Sequence, residues 1–200
     1  SLFAISNVII QSTINSFGDV FVAGNAASAN IEGFVYVTMN AFHQTAVNFT
    51  GQNVGAGQYD RVKKIFGYSL AGVAVAGMLA GSSAWFFGEQ LLGIYITDSA
   101  EAIAYGVVRM TYISLPYFVC GLMDVCTGSL RGMGASLAPM LISVLGVCGF
   151  RILWINTVFR MIPTPECLYL SYLISWILTF GVQFGAFWSV YRKHTRAALH

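Results

Sequence analysis

Charged residues are scarce in this sequence. Only 9% of its 200 residues are Asp, Glu, Lys or Arg, whereas 56% are hydrophobic and the mean hydropathy is +0.69. A soluble domain of this size has about a quarter charged residues, because its surface must be hydrated. So few charges cannot cover a surface that faces water, and we therefore expect lipid to surround much of the folded chain.

Several functional motifs are also missing. The sequence has no HExxH or GxSxG motif, and its glycine-rich stretch GQNVGAG lacks the Lys-Ser/Thr ending of a phosphate-binding loop. Its four cysteines form no CxxC pair, so we expect them to be buried in apolar helices. The net charge of +2 and the lack of a basic, aromatic surface argue against a nucleic-acid partner. We therefore expect neither enzymatic activity nor an organic cofactor.

The sequence contains six long apolar segments, of which the first is shortened. Each full segment approaches or exceeds the ~20 residues with which a helix crosses the ~30 Å hydrocarbon core. Segments of this length are too long for the strands of a membrane barrel. Backbone polar groups in lipid must bond within their own element, so the segments are predicted to be helices. We predict an all-α integral membrane protein with six transmembrane helices, the first truncated, at residues 1–17, 26–47, 65–87, 105–130, 137–159 and 168–190.

The connections between these segments alternate in charge. Lys and Arg gather in the second and fourth connections and after the last segment, whereas the other connections carry mostly acids. Positively charged connections stay on the cytoplasmic side, so the pattern predicts a multi-pass protein with a cytoplasmic C-terminus. The basic residues behind this prediction are Arg61, Lys63, Lys64, Arg131, Arg192, Lys193 and Arg196.

Polar side chains recur along single faces of several predicted helices, at spacings of three or four residues. Any one of them is explained by a hydrogen bond between helices, worth only about 1 kcal/mol. Several such stripes together indicate a polar substrate cavity. We expect its lining to include Gln11, Asn15, Glu32, Tyr36, Asn40, His43, Asp124 and Gln183. His43 is either a proton relay or a hydrogen-bonded residue of the cavity wall.

Four charged residues lie inside predicted helices, where charge is costly: Glu32, Arg109, Asp124 and Arg151. The helix rise places Glu32 and Arg151 at one depth, with Arg109 somewhat nearer the outer surface. We therefore expect a basic partner for Glu32 and a structural role for both arginines.

Asp124 differs from these residues because no basic residue lies at its depth, about 10 Å inside its helix end. A carboxylate without a partner in low dielectric binds a cation or takes up a proton. We therefore predict that Asp124 binds the coupling ion, Na⁺ or H⁺.

Three stretches resemble the multidrug and toxic compound extrusion (MATE) transporters. FTGQNVGAGQYDRVKK resembles the cytoplasmic turn after the second helix of a MATE lobe. GLMDVCTGSLRGMG is similar to the tenth helix of that family, and VAGNAASANIEGF to the start of its eighth helix. The resemblance covers nearly the whole chain and fits a prokaryotic branch of the family.

The resemblance implies one lobe of a twelve-helix, inverted V-shaped antiporter that exports small amphipathic or cationic compounds against Na⁺ or H⁺. Residues 1–193 would be the C-terminal lobe, helices seven to twelve, and residues 194–200 a cytoplasmic tail. The implied surroundings are a prokaryotic inner (plasma) membrane, its lipid bilayer and an N-terminal six-helix lobe preceding this chain. One lobe alone should not transport, because alternating access needs two repeats.

The family resemblance also bears on the ion site. Asp124 matches an acidic position of the tenth helix that some members use for cation binding. Those members carry a Glu in the seventh helix, near the place where this chain has Phe3 or Ala4, which implies an incomplete Na⁺ site.

Two other interpretations stay open. A lipid-linked oligosaccharide flippase of the same superfamily should hold a pyrophosphate with several cations, whereas only Arg109 and Arg151 lie inside the predicted helices. A non-transporting membrane scaffold should show stripes of small residues on its helices, and an intramembrane enzyme should show a nucleophile–base pair.

Overall fold

The chain is described from a computed structural model, which covers residues 2–197 and the side chains of residues 5–196. No strand occurs in this range, and the predicted all-α fold is confirmed. The helices are α1 (Leu2–Asn15), α2 (Asp19–Gly55), α3 (Tyr59–Phe86), α4 (Gly88–Tyr95), α5 (Ala100–Tyr112), α6 (Tyr117–Gly132), α7 (Leu137–Ser143), α8 (Phe150–Asn156), α9 (Val158–Met161) and α10 (Pro165–Ala197). A segment of wider π-helical turns, Val144–Gly149, joins α7 to α8 without a break.

Three helical stretches between residues 2 and 197 are long and apolar enough to cross a membrane: Tyr59–Phe86, Leu137–Met161 and Pro165–Arg196. The pair α5 and α6 adds a fourth if it forms one bent span. The other two predicted spans do not meet this criterion. α1 has 14 residues, which is too short, and the polar stripe of α2 lowers the hydropathy of its 37 residues.

The segment predicted as one helix over residues 105–130 is broken. α5 and α6 meet at an angle of 47°, and Pro116 directly precedes α6. Proline lacks the backbone N–H that would continue the hydrogen-bond ladder, which accounts for a bend at this position. The connection before α5 also contains the short helix α4, which the sequence pattern did not predict.

Two glycines end long helices in the left-handed conformation. Gly57 follows α2 with φ 69°, and Gly134 follows α6 with φ 82°. In both turns the next residue donates its backbone N–H five residues back, from Gln58 to Asn53 and from Ala135 to Leu130. Such turns satisfy the last carbonyls of a helix, and glycine adopts the positive φ without a Cβ penalty. The glycine-rich stretch after α2 is therefore a helix terminus.

The four cysteines, Cys120, Cys126, Cys148 and Cys167, are all free and buried, as the sequence predicted. α6 carries two of them and lies in the middle of the bundle, against α2, α3 and α10. This central position brings Asp124 of α6 close to the polar stripes of the neighbouring helices.

Candidate functional site

Glycines set the distance between α2 and α6. A Cβ atom on Gly128 would lie 2.6 Å from the backbone oxygen of His43, and one on Gly132 would lie 2.7 Å from the backbone oxygen of Val47. Both distances are shorter than real Cβ contacts, so any larger residue would push the two backbones apart. Asp124 lies one turn before Gly128, at a place where α2 and α6 are in close contact.

A polar cavity of about 360 Å³ opens beside this contact. Asp124 is half-buried in its wall, and no Lys, Arg or His within residues 5–196 forms an ion pair with its carboxylate. The lining comes from α2, α6, α7 and the π-helical segment, and comprises Tyr36, Asn40, His43, Gln44, Met123, Asp124, Thr127, Arg131, Met140, Ser143 and Val147. The cavity therefore combines one carboxylate with amide, hydroxyl, imidazole and guanidinium groups.

His43 is held against α6 by its ring. Its Nδ1 atom lies 2.8 Å from the backbone oxygen of Asp124. A carbonyl oxygen only accepts hydrogen bonds, so Nδ1 carries the hydrogen and donates it. In the neutral ring, Nε2 is then the acceptor, and His43 lines the same cavity as Asp124.

Gln183 lies behind this cavity and does not line it. Its side chain is fully buried, accepts a hydrogen bond from Thr127 Oγ1 at 3.0 Å and donates one to Ser143 Oγ at 2.9 Å. Thr127 and Ser143 are both lining residues. Gln183 therefore joins α6, α7 and α10 and fixes two residues of the cavity wall.

Glu32 belongs to a separate, closed cluster. Its Oε1 and Oε2 atoms accept hydrogen bonds from Arg109 Nε at 3.0 Å and Nη2 at 2.7 Å. The third nitrogen of Arg109, Nη1, donates to Asn25 Oδ1 at 2.7 Å, and the Tyr169 hydroxyl donates to the same oxygen at 3.1 Å. The expectation that Glu32 lines the cavity does not match this geometry, because its oxygens are occupied by a bidentate pair.

The basic partner of Glu32 is thus Arg109. The helix rise placed Arg151 at the same depth as Glu32, but Arg151 makes other contacts. The Arg151 guanidinium stands 3.9 Å from the ring centroid of Tyr172, and its Nε donates to Ser175 Oγ at 3.1 Å. α8 contacts α1, α9 and α10, and it is not among the helices that contact α2. Depth along one helix therefore did not reveal which helix each arginine faces.

Gln11 and Asn15 are exposed on α1 and are not among the residues that line the Asp124 cavity. Their side chains bond to each other, with Gln11 Nε2 donating to Asn15 Oδ1 at 2.9 Å. Helical spacing placed them correctly on one face, but it did not say what this face meets. The side chains of Phe3 and Ala4, near the position of a family Glu, lie outside the described residues.

Several lining residues were not singled out from the sequence, among them Ser143 and Met140. Thr127 lies three residues after Asp124, and helical spacing places it on the same side of α6, where it lines the cavity. Ser143 stands alone in an apolar helix, and only the path of α7 past α6 brings it to the cavity. Arg131 was noticed for its effect on orientation, although it also lines this cavity.

Similarity to known proteins supports a common origin. The MatE family model matches residues 1–155 of the chain. The chain is 26% identical over 136 residues to the probable multidrug resistance protein YpnP of Bacillus subtilis (strain 168), covering 68% of this chain and 30% of that protein. It is 21% identical over 152 residues to the probable multidrug resistance protein YoeA of the same strain, covering 76% of this chain and 32% of that protein. The chain thus spans about a third of the length of these curated relatives.

Solved structures share the fold. The MATE transporter VcmN of Vibrio cholerae, in its bent form, superimposes with a TM-score of 0.86 and 17% identity over 96% of this chain and 44% of that one. A mutant of VcmN gives a TM-score of 0.81 and 18% identity, covering 97% of this chain and 43% of that one. At such identity these structures establish the fold. Together with the family match, which covers most of the sequence, they show that this chain belongs to the MatE family.

Proposed function

We propose that this chain is part of a secondary active antiporter, which exports small amphipathic or cationic compounds in exchange for Na⁺ or H⁺. The observation that carries the proposal is the Asp124 carboxylate, half-buried beside a polar cavity and without an ion-pair partner among residues 5–196. A carboxylate in such a place favours a bound cation or proton. The multidrug resistance proteins and the transporter to which the chain is similar support this proposal.

In this mechanism, the coupling ion and the exported cation compete for one negative charge. The oxygens of Tyr36, Asn40 and Thr127 line the same cavity as Asp124 and offer the hard donors that Na⁺ prefers over nitrogen or sulfur. A proton on Asp124 would likewise cancel its charge and release a bound cation. Occupation by either ion then excludes the other, which is the requirement for exchange.

The chain would work as the C-terminal six-helix lobe, together with an N-terminal lobe across a central cavity. Its coverage of 44% of VcmN is the length of about one lobe. Gln11, Asn15, Tyr36, Asn40 and Gln44 are exposed in the isolated chain, and a facing lobe would give these polar side chains partners. We further propose a prokaryotic inner membrane as the location, with the C-terminus in the cytoplasm, because Lys and Arg gather at that end.

A lipid-linked oligosaccharide flippase fits the geometry less well. A pyrophosphate needs several free cations, whereas Arg109 is occupied by Glu32 and Arg151 is stacked on Tyr172. Among the described residues that line the Asp124 cavity, Arg131 alone is a Lys or Arg, so the cavity lacks the several cations that a pyrophosphate needs.

The test is the substitution Asp124→Asn in the full-length protein, expressed in cells that lack other efflux pumps. Export of a fluorescent cation should fall to the background of cells without the protein, while the amount of folded protein in the membrane stays unchanged. Imposing Na⁺ and pH gradients separately on proteoliposomes identifies the coupling ion. Asp60→Asn is the matched control, because Asp60 is exposed at the start of α3. Coupled export by the Asp124→Asn protein at the wild-type rate would exclude the proposed role.

A further inference from the structure

A basic groove runs along the last turns of α10. It has a volume of about 570 Å³ and is lined by Gly185, Trp188, Ser189, Arg192, Lys193 and Arg196. We propose that this α10 groove binds the headgroup of an anionic phospholipid. The proposal is independent of the transport function, because it rests on another surface of the molecule.

The charges in the α10 groove are spaced to hold one phosphate. Arg192 and Arg196 are four residues apart on a helix, which places their Cβ atoms about 5–6 Å from each other on one face. Two long side chains at this spacing can converge on a single phosphate, and each guanidinium can donate two parallel hydrogen bonds to its oxygens. Lys193 adds a third positive charge at the edge.

No carboxylate among residues 5–196 forms an ion pair with these side chains. Among the described side chains a single ion pair is found, between Arg109 and Glu32, and it lies deep in the bundle. Arg192, Lys193 and Arg196 are exposed, so their charge is available to a ligand. Basic residues at the end of a transmembrane helix attract anionic headgroups by about 1 kcal/mol each.

Trp188 gives the α10 groove the character of a membrane interface. Its ring packs against Phe187 at 5.5 Å and Tyr191 at 5.7 Å between centroids, and Lys63 Nζ lies 5.8 Å from its ring centroid. Tryptophan is enriched at the level of the headgroups, because one edge is apolar and the other is hydrated. Gly185 leaves space beside this ring, since a Cβ there would meet no atom within 4 Å.

The position along the helix agrees with a lipid ligand. Pro165–Arg196 is one of the stretches that are apolar and long enough to cross a membrane, so the α10 groove lies at the end of a span. Apolar side chains such as Ile177, Leu178 and Val182 are exposed on the preceding turns. A phospholipid could therefore place its phosphate at Arg192 and Arg196 and its acyl chains along the apolar part of α10.

The test measures lipid binding to the full-length protein by native mass spectrometry, with phosphatidylglycerol and phosphatidylcholine as probes. The double variant Arg192→Gln/Arg196→Gln should bind phosphatidylglycerol at least about tenfold more weakly than the wild type, with unchanged melting temperature. The matched control is Arg61→Gln/Lys64→Gln, which removes two exposed charges at the same end of the bundle but outside the groove. The ring centroids of Tyr59 and His194 lie 6.2 Å apart, so the start of α3, which carries Arg61 and Lys64, lies at the same end of the bundle as the end of α10.

A second variant keeps every charge and fills the space beside Trp188. Gly185→Leu should weaken phosphatidylglycerol binding without weakening the general attraction to an anionic surface. Equal losses in the groove variant and in the control would mean that only the overall surface charge matters, and would overturn the proposal. Equal binding of phosphatidylcholine, or full competition by inorganic phosphate, would overturn it as well, because the site would then not be specific for an anionic lipid.

Discussion

Two acidic residues inside the same bundle have opposite surroundings. Glu32 is buried, with a bidentate arginine on its two oxygens and an asparagine and a tyrosine completing the cluster. Asp124 is half-buried, opens to a polar cavity and has no ion-pair partner among the described side chains. Both were identified from the sequence as charges at membrane depth, yet of the two only Glu32 has an ion-pair partner among the described side chains.

The pairing of Arg109 with Glu32 accounts for this difference. Arg109 lies in the last turn of α5, directly before the bend, and faces α2 from there. A buried charge costs several kcal/mol unless it is paired, and removing one partner leaves the other uncompensated. Glu32 and Arg109 therefore depend on each other for stability, whereas Asp124 contributes little to it.

The largest effect should come from breaking the closed cluster. Glu32→Gln leaves the Arg109 charge without a carboxylate, and we expect a loss of about 3–5 kcal/mol in the free energy of unfolding. The unfolding midpoint of the purified full-length protein in detergent measures this loss. Glu32→Leu combined with Arg109→Met should recover much of the stability, because no buried charge then remains. If Glu32→Gln and Asp124→Asn lose the same amount of stability, whether large or small, the contrast between the two acids disappears.

An intermediate effect is expected where α2 and α6 touch. Gly128→Ala places a methyl group 2.6 Å from the backbone oxygen of His43. A backbone oxygen cannot rotate away as a side chain can, so the clash must move the helices apart. Separating the helices should cost about 1–3 kcal/mol and disturb the Asp124 cavity, so export should fall together with stability. Gly33→Ala on α2 is the control, because its Cβ would meet no atom within 4 Å. Matching melting temperatures for the two variants would contradict a tight contact at Gly128.

The smallest effect concerns the hydrogen bond between His43 and α6. His43→Ala removes the donor to the Asp124 carbonyl, and hydrogen bonds between membrane helices are worth about 0.6 kcal/mol on average. We expect a correspondingly small shift of the unfolding midpoint, compared with a Thr45→Ala control, whose hydroxyl is exposed and donates to Ala41 within α2. If His43 also relays protons, the pH dependence of export should change in His43→Ala and not in Thr45→Ala. An unchanged profile would assign His43 to the cavity wall.

Patterns within one helix were predicted well. Hydropathy identified the apolar segments, and helical spacing grouped Tyr36, Asn40 and His43 on one face, which lines the cavity. The same reasoning failed for residues whose role depends on a neighbour. It assigned Glu32 to the cavity, although Arg109 occupies its oxygens, and it included Gln183, which lies behind Thr127 and Ser143.

By itself, the sequence determined that the chain is helical and suited to a membrane, and that polar residues recur along single faces of its helices. These properties follow from composition and from the rise and periodicity of a single helix. Only the tertiary structure decided that Arg109 pairs with Glu32, that Arg151 stacks on Tyr172, and that Ser143 reaches the Asp124 cavity. The physical reason is that these contacts depend on how the helices rotate and bend against each other. That arrangement is set by the glycine contacts between helices and by the bend at Pro116, which involve residues far apart in the sequence.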